Sequence, residues 1–240
     1  MQLSVLIPVL DEQDNILPLL EELYAALAAG PAFEVLVIDD GSTDATPVRV
    51  QQVLPAYPTL RLIRHARRAG KSAALVTGAH AAQGAWLVFM DGDRQNDPAD
   101  IPALIDLVQG DDDLALVNGV RHQRQDTLSK RLASRAANAI RRTLLRDDCP
   151  DTGSGLKLIR RDLFLDLPAI DCLHRFIPAF VKGRGRAYAN LPVTDRPRIS
   201  GLSKYTNLHR AAVGVWDLFG VMWLLRRQKR PGAATEVLAP

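Results

Sequence analysis

Cysteine is nearly absent from this chain. Two residues, Cys149 and Cys172, in 240 positions build neither a disulfide framework nor a thiolate metal site, so a reduced, cytosolic setting is expected. Aromatic residues make up only 5% and do not interleave with the basic runs. That removes the stacking platform a nucleic acid would use, and no nucleic-acid partner is expected. No uncharged apolar stretch reaches the ~18 residues of a spanning helix. The nearest, Ala211 to Leu225, is shorter and carries Asp217. The first apolar run has no basic region before it and is broken by Asp11, Glu12 and Asp14, so it reads as a strand rather than a signal peptide. No G-x-G-x-x-G follows it, which disfavours a dinucleotide-binding dehydrogenase. The histidines, His65, His80, His122, His174 and His209, lack metal-ligand spacing and a nucleophile to activate. A net charge of +3 is too small to name a partner by itself.

What the chain does contain is alternation. Strand-like runs at Leu3 to Val9, Phe33 to Ile38, Leu60 to Arg64 and Trp86 to Met90 are separated by helical patterns at Ile16 to Ala28, Asp44 to Val53 and Lys71 to Ala82. This order predicts right-handed βαβ units in an α/β fold, with a mostly parallel twisted sheet flanked by helices. Helix starts are marked by Ser42-Thr43-Asp44 and by Asp97-Pro98. Leu114 to Val117 reads as a further strand. Beyond it come a basic helix from Thr127 to Arg146, a strand at Leu156 to Ile159, a helical piece near Cys172 to Val181, a strand near Arg186 to Val193 and a loop from Arg196 to Lys204. On the basic helix, Arg141, Arg142 and Arg146 read as a solvated face. One domain is expected over residues 1–206, then an amphipathic helix with a basic cluster over 207–230, then a disordered tail over 231–240.

The densest local signal is the run Leu87 to Pro98. An apolar strand ends in Asp91 and Asp93, whose i, i+2 spacing puts both carboxylates on one side of an extended backbone. Open α/β sheets bind ligands at that edge. Two hard oxygen ligands there suit Mg²⁺ or Mn²⁺, completed by substrate phosphates. A polar turn that caps the helix after Pro98 is the plainer alternative for that spacing alone. The second strand also ends in acids, Asp39 and Asp40, followed by Gly41-Ser42-Thr43-Asp44. Helix capping accounts for Thr43 and Asp44 but not for Asp39 and Asp40, which can accept hydrogen bonds from a base or ribose. The first strand brings Pro8 and Glu12 to the same rim.

Three motifs in order, P-x-x-x-E at Pro8 to Glu12, V-I-D-D-G-S-T-D ending at Asp44, and D-G-D-x-Q-N-D-P from Asp91, resemble the family 2 glycosyltransferases of the GT-A fold. Within that family the chain is most similar to dolichol-phosphate mannose synthases and bacterial polyprenyl-phosphate glycosyltransferases. Gly70-Lys71-Ser72-Ala73-Ala74-Leu75 resembles their helix start, Asp151 to Lys157 their D-x-G-x-G-x-[KR] segment, and Gly201 to Tyr205 their G-x-S-K-[YF] loop. The resemblance implies that Pro8, Glu12, Asp39, Asp40 and Gly70 hold the donor, with Gly92 in the loop beneath it. It implies a metal and diphosphate on Asp91, Asp93 and Gln95, and an acceptor phosphate on Arg121, Arg131, Arg198 and Lys204. Asp91, Asp93, Arg121 and Arg131 would carry catalysis. Two positions depart from the pattern. Leu10 stands where relatives often have an aromatic, and Arg94 sits inside the metal loop, directed either to the diphosphate or to solvent.

The resemblance implies inverting transfer of a hexose from a GDP- or UDP-sugar to a polyprenyl phosphate, with Mg²⁺ or Mn²⁺ as cofactor. Two alternatives stand beside it. One is a family 2 transferase with a saccharide or other soluble hydroxyl acceptor, for which Asp151 would be the base. The other is a non-catalytic nucleotide-sugar-binding or membrane-adaptor domain. Tryptophans in Leu208 to Leu225, followed by Arg226, Arg227, Lys229 and Arg230, fit a membrane surface. The expected location is peripheral, on the inner face of the cytoplasmic membrane. A core helix with a charged tail is the competing reading.

Overall fold

A computed structural model describes residues 2–121, 138–197 and 207–228. The parallel half of the sheet follows the alternation in the sequence. It comprises β1 (Leu3–Val9), α1 (Ile16–Leu27), β2 (Phe33–Asp39), α2 (Thr46–Val53), β3 (Leu60–Arg64), α3 (Lys71–Ala81) and β4 (Trp86–Phe89). Next come α4 (Ile101–Gly110) and β5 (Leu114–Arg121), and helix α5 is described over residues 138–145. The unit is completed by β6 (Lys157–Arg160), α6 (Arg161–Leu165), α7 (Ile177–Gly183) and β7 (Ala187–Val193).

The seven strands lie in the order β3-β2-β1-β4-β6-β5-β7. All run one way except β6, which pairs antiparallel with both β4 and β5. The reversal has a direct consequence. The C-terminal ends of β1 to β5 share a rim, and β6 brings its N-terminal residue, Lys157, to that same rim.

Both faces of the sheet are covered, so its central strands are apolar nearly throughout. On one face, Leu3, Val5, Ile7 and Val9 of β1 join a core with Leu19, Leu20 and Leu23 of α1 and Leu104 and Val108 of α4. On the other, α3 lies so close that a Cβ on Gly78 would stand 2.8 Å from Ile38 Cδ1 and 3.2 Å from Leu6 Cδ1. Of the two acids of β2, Glu34 is compensated at the rear of the sheet. It accepts from Ser4 Oγ at 2.7 Å, the Gln83 N–H at 2.6 Å and Arg61 Nη1 at 2.8 Å. Burial pushes its carboxyl up, but these donors together hold it below the ordinary value.

One sequence reading is corrected by pairing within the segment 141–149. Arg141 is buried rather than solvated, with its guanidinium on Asp147 and on the Cys149 carbonyl. The remainder of the expected basic helix, 127–137, lies outside the described residues. The chain divides into two compact units, Met1–Lys204 and Tyr205–Pro240. The second contains α8 (Asn207–Arg227), the helix expected from the sequence. No helix among the described residues is long and apolar enough to cross a membrane.

Candidate active site

The rim is assembled from loop to loop by backbone donors. At the end of β2, Asp39 is fully buried; its carboxylate accepts the Ser42 N–H at 2.9 Å and Arg64 Nε at 2.8 Å. Gly41 turns the chain at φ +80°, where a Cβ would stand 2.9 Å from the Arg68 nitrogen. Asp40 organises a different segment. It accepts the Ala69 and Gly70 N–H groups, each at 2.8 Å, and contacts His65 Nδ1 at 2.8 Å. His65 Nε2 in turn lies 2.9 Å from Thr77 Oγ1. Asp40 thereby fixes the entry to α3. The loop after β1 interlocks with the loop after β2. Ser42 Oγ accepts the Asp11 N–H at 2.9 Å, and Thr46 Oγ1 accepts the Glu12 N–H at 2.8 Å. The Glu12 carboxylate accepts Asn15 Nδ2 at 2.6 Å, and Pro8 lies at the end of β1, half-buried.

Beyond β4, Asp91 and Asp93 lie in the loop that follows the strand's rim end. Asp93 is buried and accepts the Gln95 N–H at 3.2 Å. Asp91 keeps 30% of its side chain exposed and is ion-paired to Lys71, the first residue of α3. Burial works to raise the Asp91 carboxyl, but Lys71, assisted by Lys157 and Arg121, holds it below the usual range. Beneath the pair, a Cβ on Gly92 would meet Val9 Cγ1 at 2.7 Å. Gly155 is tighter still: a Cβ there would stand 2.5 Å from the Asp91 carboxylate and from Asn96 Oδ1. Only glycine lets the segment before β6 lie against the acidic loop.

The far side of the rim is cationic. Arg121, at the end of β5, forms a two-pronged pair with Asp151, Nε to Oδ2 at 2.8 Å and Nη2 to Oδ1 at 3.0 Å. Asp151 also accepts the Gly153 N–H at 3.0 Å. Lys157 is only 1% exposed and donates to the Ser154 carbonyl at 2.6 Å. Burial, reinforced by the neighbouring charge of Lys71, pushes its ammonium down to about 8.

The structure therefore brings Asp91, Gly92, Asp93 and Gln95 into one loop, sets Asp40 against Gly70, and sets Gly155 against Asp91. It pairs Arg121 with Asp151. Arg131, Arg198 and Lys204 lie outside the described residues. Arg94 takes neither direction open to it from the sequence: at φ +60° it turns back and pairs with Glu22 of α1. His65, Lys157 and the ion pair made by Lys71 were not legible as site features. For His65 the available signal was position, because it directly follows a strand that ends on the same rim.

The donor chemistry here fits a divalent cation. Asp91, Asp93 and the Gln95 side-chain amide are oxygen donors, and the Asp91 carboxylate already accepts one cationic partner, Lys71. Among the described residues no group of three or more His, Cys, Asp or Glu is poised around a metal.

The fold is that of the GT-A glycosyltransferases. The chain belongs to glycosyl transferase family 2, whose pattern matches residues 4–167. Over 237 residues it is 33% identical to the dodecaprenyl-phosphate galacturonate synthase of Rhizobium johnstonii, covering 97% of this chain and 70% of that protein. Over 215 residues it is 32% identical to the undecaprenyl-phosphate 4-deoxy-4-formamido-L-arabinose transferase of Salmonella paratyphi A. That match covers 85% of this chain, and the chain spans 63% of that relative's length. In fold it is similar to the glucosyl-3-phosphoglycerate synthase from Mycobacterium tuberculosis crystallised with Mn²⁺, uridine diphosphate and phosphoglyceric acid. The TM-score is 0.71 at 20% identity, over 96% of this chain and 80% of that one.

Proposed function

We propose that the protein transfers a hexose, with inversion, from a nucleoside-diphosphate sugar to a polyprenyl phosphate at a membrane surface, using Mg²⁺ or Mn²⁺. The observation that carries this reading is the polarity of one rim: a carboxylate loop around Asp91 and Asp93 abuts, through Gly155, a cationic segment anchored by Arg121. A donor diphosphate needs the first and an acceptor phosphate the second. The names of the two curated relatives, both acting on polyprenyl phosphates, support the acceptor class.

In this reading Pro8, Glu12, Asp39, Asp40 and Gly70 shape the nucleoside end of the site. Asp91, Asp93 and Gln95 hold the metal, which supplies Lewis-acid stabilisation to the departing diphosphate. Lys71 sits beside Asp91 as a second cation for the same charge. Arg121 receives the acceptor phosphate, joined by Arg131, Arg198 and Lys204. Asp151 takes the Nε–Nη2 edge of the Arg121 fork and so fixes which way its remaining donors point. A phosphate monoester, with a second pKa of about 6, is largely dianionic at neutral pH and needs no base. Its oxygen bonds to the anomeric carbon from the face opposite the diphosphate, and the electron pair of the broken bond leaves with the diphosphate. A neutral hydroxyl acceptor would need Asp151 as base, but that carboxylate is committed to Arg121 and to the Gly153 N–H.

The location proposed is peripheral, on the inner face of the cytoplasmic membrane. In α8, Trp216, Phe219 and Trp223 follow the i, i+3, i+7 spacing of one helix face and are 77%, 56% and 59% exposed. Arg226 and Arg227 are exposed at its end, with the Arg227 guanidinium 5.8 Å from the Trp223 ring centre. Amphipathic rings followed by cations suit the interface of an anionic leaflet.

A donor screen with a short polyprenyl phosphate and Mn²⁺ or Mg²⁺ tests the reaction. Glycosylated lipid is the expected product; transfer only to water-soluble hydroxyls overturns the acceptor class. Flotation with anionic liposomes tests the location. The wild type should float at low salt and less at high salt, and Trp216→Ser/Trp223→Ser should sink.

A further inference from the structure

The metal loop is held from behind by charges that lie outside the rim. Glu22, in the middle of α1, receives Arg94 on one carboxylate oxygen and Arg196 Nη1 on the other, the latter at 2.5 Å. Arg196 continues to Asp97, with Nε at 3.1 Å and Nη2 at 2.6 Å from Oδ2, while its own N–H donates to the Gln95 carbonyl at 2.9 Å. The segment after β7 is zipped along the loop at two further points. Asn96 and Asp195 form an antiparallel bridge, and the Thr194 N–H donates to Asp100 at 2.7 Å. These groups are half-buried: Glu22, Arg94 and Arg196 keep 31%, 21% and 33% of their side chains exposed. Burial pushes the Glu22 carboxyl up, yet the two guanidiniums hold it below the ordinary range.

Arg94 stands between Asp93 and Gln95, and its φ of +60° is one that a side chain of its size rarely adopts. Such a conformation persists only where the surroundings impose it. Here the surroundings are Glu22. In the same turn the Gln95 N–H reaches Asp93 Oδ1 at 3.2 Å, on the other side of the residue that Glu22 holds.

We infer that Glu22 and Arg196 are positioning residues for the metal: with Arg94 and Asp97 they form an ionic clamp that sets the loop in its metal-binding shape. The clamp also joins that loop to the chain leading to the acceptor candidates, since Arg198 follows closely in the sequence. This rests on the reading of Asp91 and Asp93 as metal ligands. Partners one shell outside a metal site typically change its affinity by about 10- to 100-fold.

The test is Mn²⁺ affinity, read from the free-ion electron paramagnetic resonance signal, with the protein alone and with UDP or GDP, whichever the wild type binds. Glu22→Gln and Arg196→Met should each weaken Mn²⁺ about tenfold while retaining wild-type thermal melting. Arg196→Lys, which keeps the charge and loses the fork, should recover part of that affinity. The Glu22→Gln/Arg196→Met double variant should weaken Mn²⁺ by less than the product of the single effects, because both act through one loop. Nucleotide affinity measured in chelator should stay at the wild-type value. Unchanged Mn²⁺ affinity in both single variants, with Asp91→Asn weakened, overturns the clamp and leaves the proposed reaction standing. Unchanged affinity in Asp91→Asn overturns the metal site itself, and the clamp with it.

Discussion

The two halves of the rim face opposite electrostatic problems. On the β1–β4 side, acids are gathered, and each is held by donors already belonging to the fold: backbone N–H groups for Asp39, Asp40 and Asp93, and Lys71 for Asp91. On the β5–β6 side, cations are gathered and held by acceptors: Asp151 for Arg121 and a loop carbonyl for Lys157. Neither half leaves these charges uncompensated, which in a recessed site would be costly. The contrast teaches that one rim carries two chemically different halves. In the proposed reaction a metal–diphosphate suits the first, and an anionic acceptor the second.

The largest effect expected from breaking this contrast is at Asp91. Asp91→Asn keeps the shape but removes the charge, and Lewis-acid assistance worth several kcal/mol goes with it. Turnover should fall about 10³-fold, or about 4 kcal/mol, in steady-state assays with saturating Mn²⁺. Full activity would erase the acidic half from the mechanism. At the cationic half, Arg121→Gln should cost about 3 kcal/mol in kcat/KM for the acceptor, within the range for a desolvated charge pair. Donor binding should be unaffected, and a loss there instead would move Arg121 to the diphosphate.

Lys157 sharpens the comparison through pH. Its ammonium is lowered from 10.5 to about 8 in the folded protein, so between those values the unfolded chain binds more protons. Stability must therefore rise with pH across that window, by about 3 kcal/mol in total. Denaturant unfolding from pH 7.5 to 10.5 should show the rise, and Lys157→Met should flatten it. A Lys157→Met protein with the same slope would place the titration elsewhere.

The smallest effect is expected at the rear of the sheet, where Glu34 serves the fold alone. Glu34→Ala leaves the Ser4 hydroxyl and Gln83 N–H without their acceptor and should cost about 2 kcal/mol of stability. Because its carboxyl is held below its ordinary value, the stabilisation is present above about pH 4.3 and fades as pH falls below it. The kcat of the folded variant should match wild type. A loss of turnover would mean that front and rear are coupled through β2.

The acidic half was readable from the sequence because it is local. Each strand, its terminal acid and the following helix lie within a few tens of residues, and the alternation places those ends together. The cationic half was readable only in part. The reversal of β6 depends on pairing with β4 and β5, which hydrophobic pattern does not encode. Charged side chains were the least legible. Arg94 and Arg141 look alike in sequence to any exposed arginine, and their directions are set by Glu22 and Asp147. Arg94 and Glu22 stand 72 positions apart. Lys157 closes the D-x-G-x-G-x-[KR] segment in the sequence, but its burial is not legible there.

Gly155 has a bearing on how this enzyme could be redesigned. With no room for even a methyl group between its Cα and the Asp91 carboxylate, residues 151–157 and 91–96 behave as one moulded part with two seams. Transplanting a relative's segment 151–157 alone, to alter acceptor choice, would import a backbone path fitted to another chain's acidic loop and displace Asp91. The exchangeable cassette is the pair of segments, moved together and cut where each meets its strand.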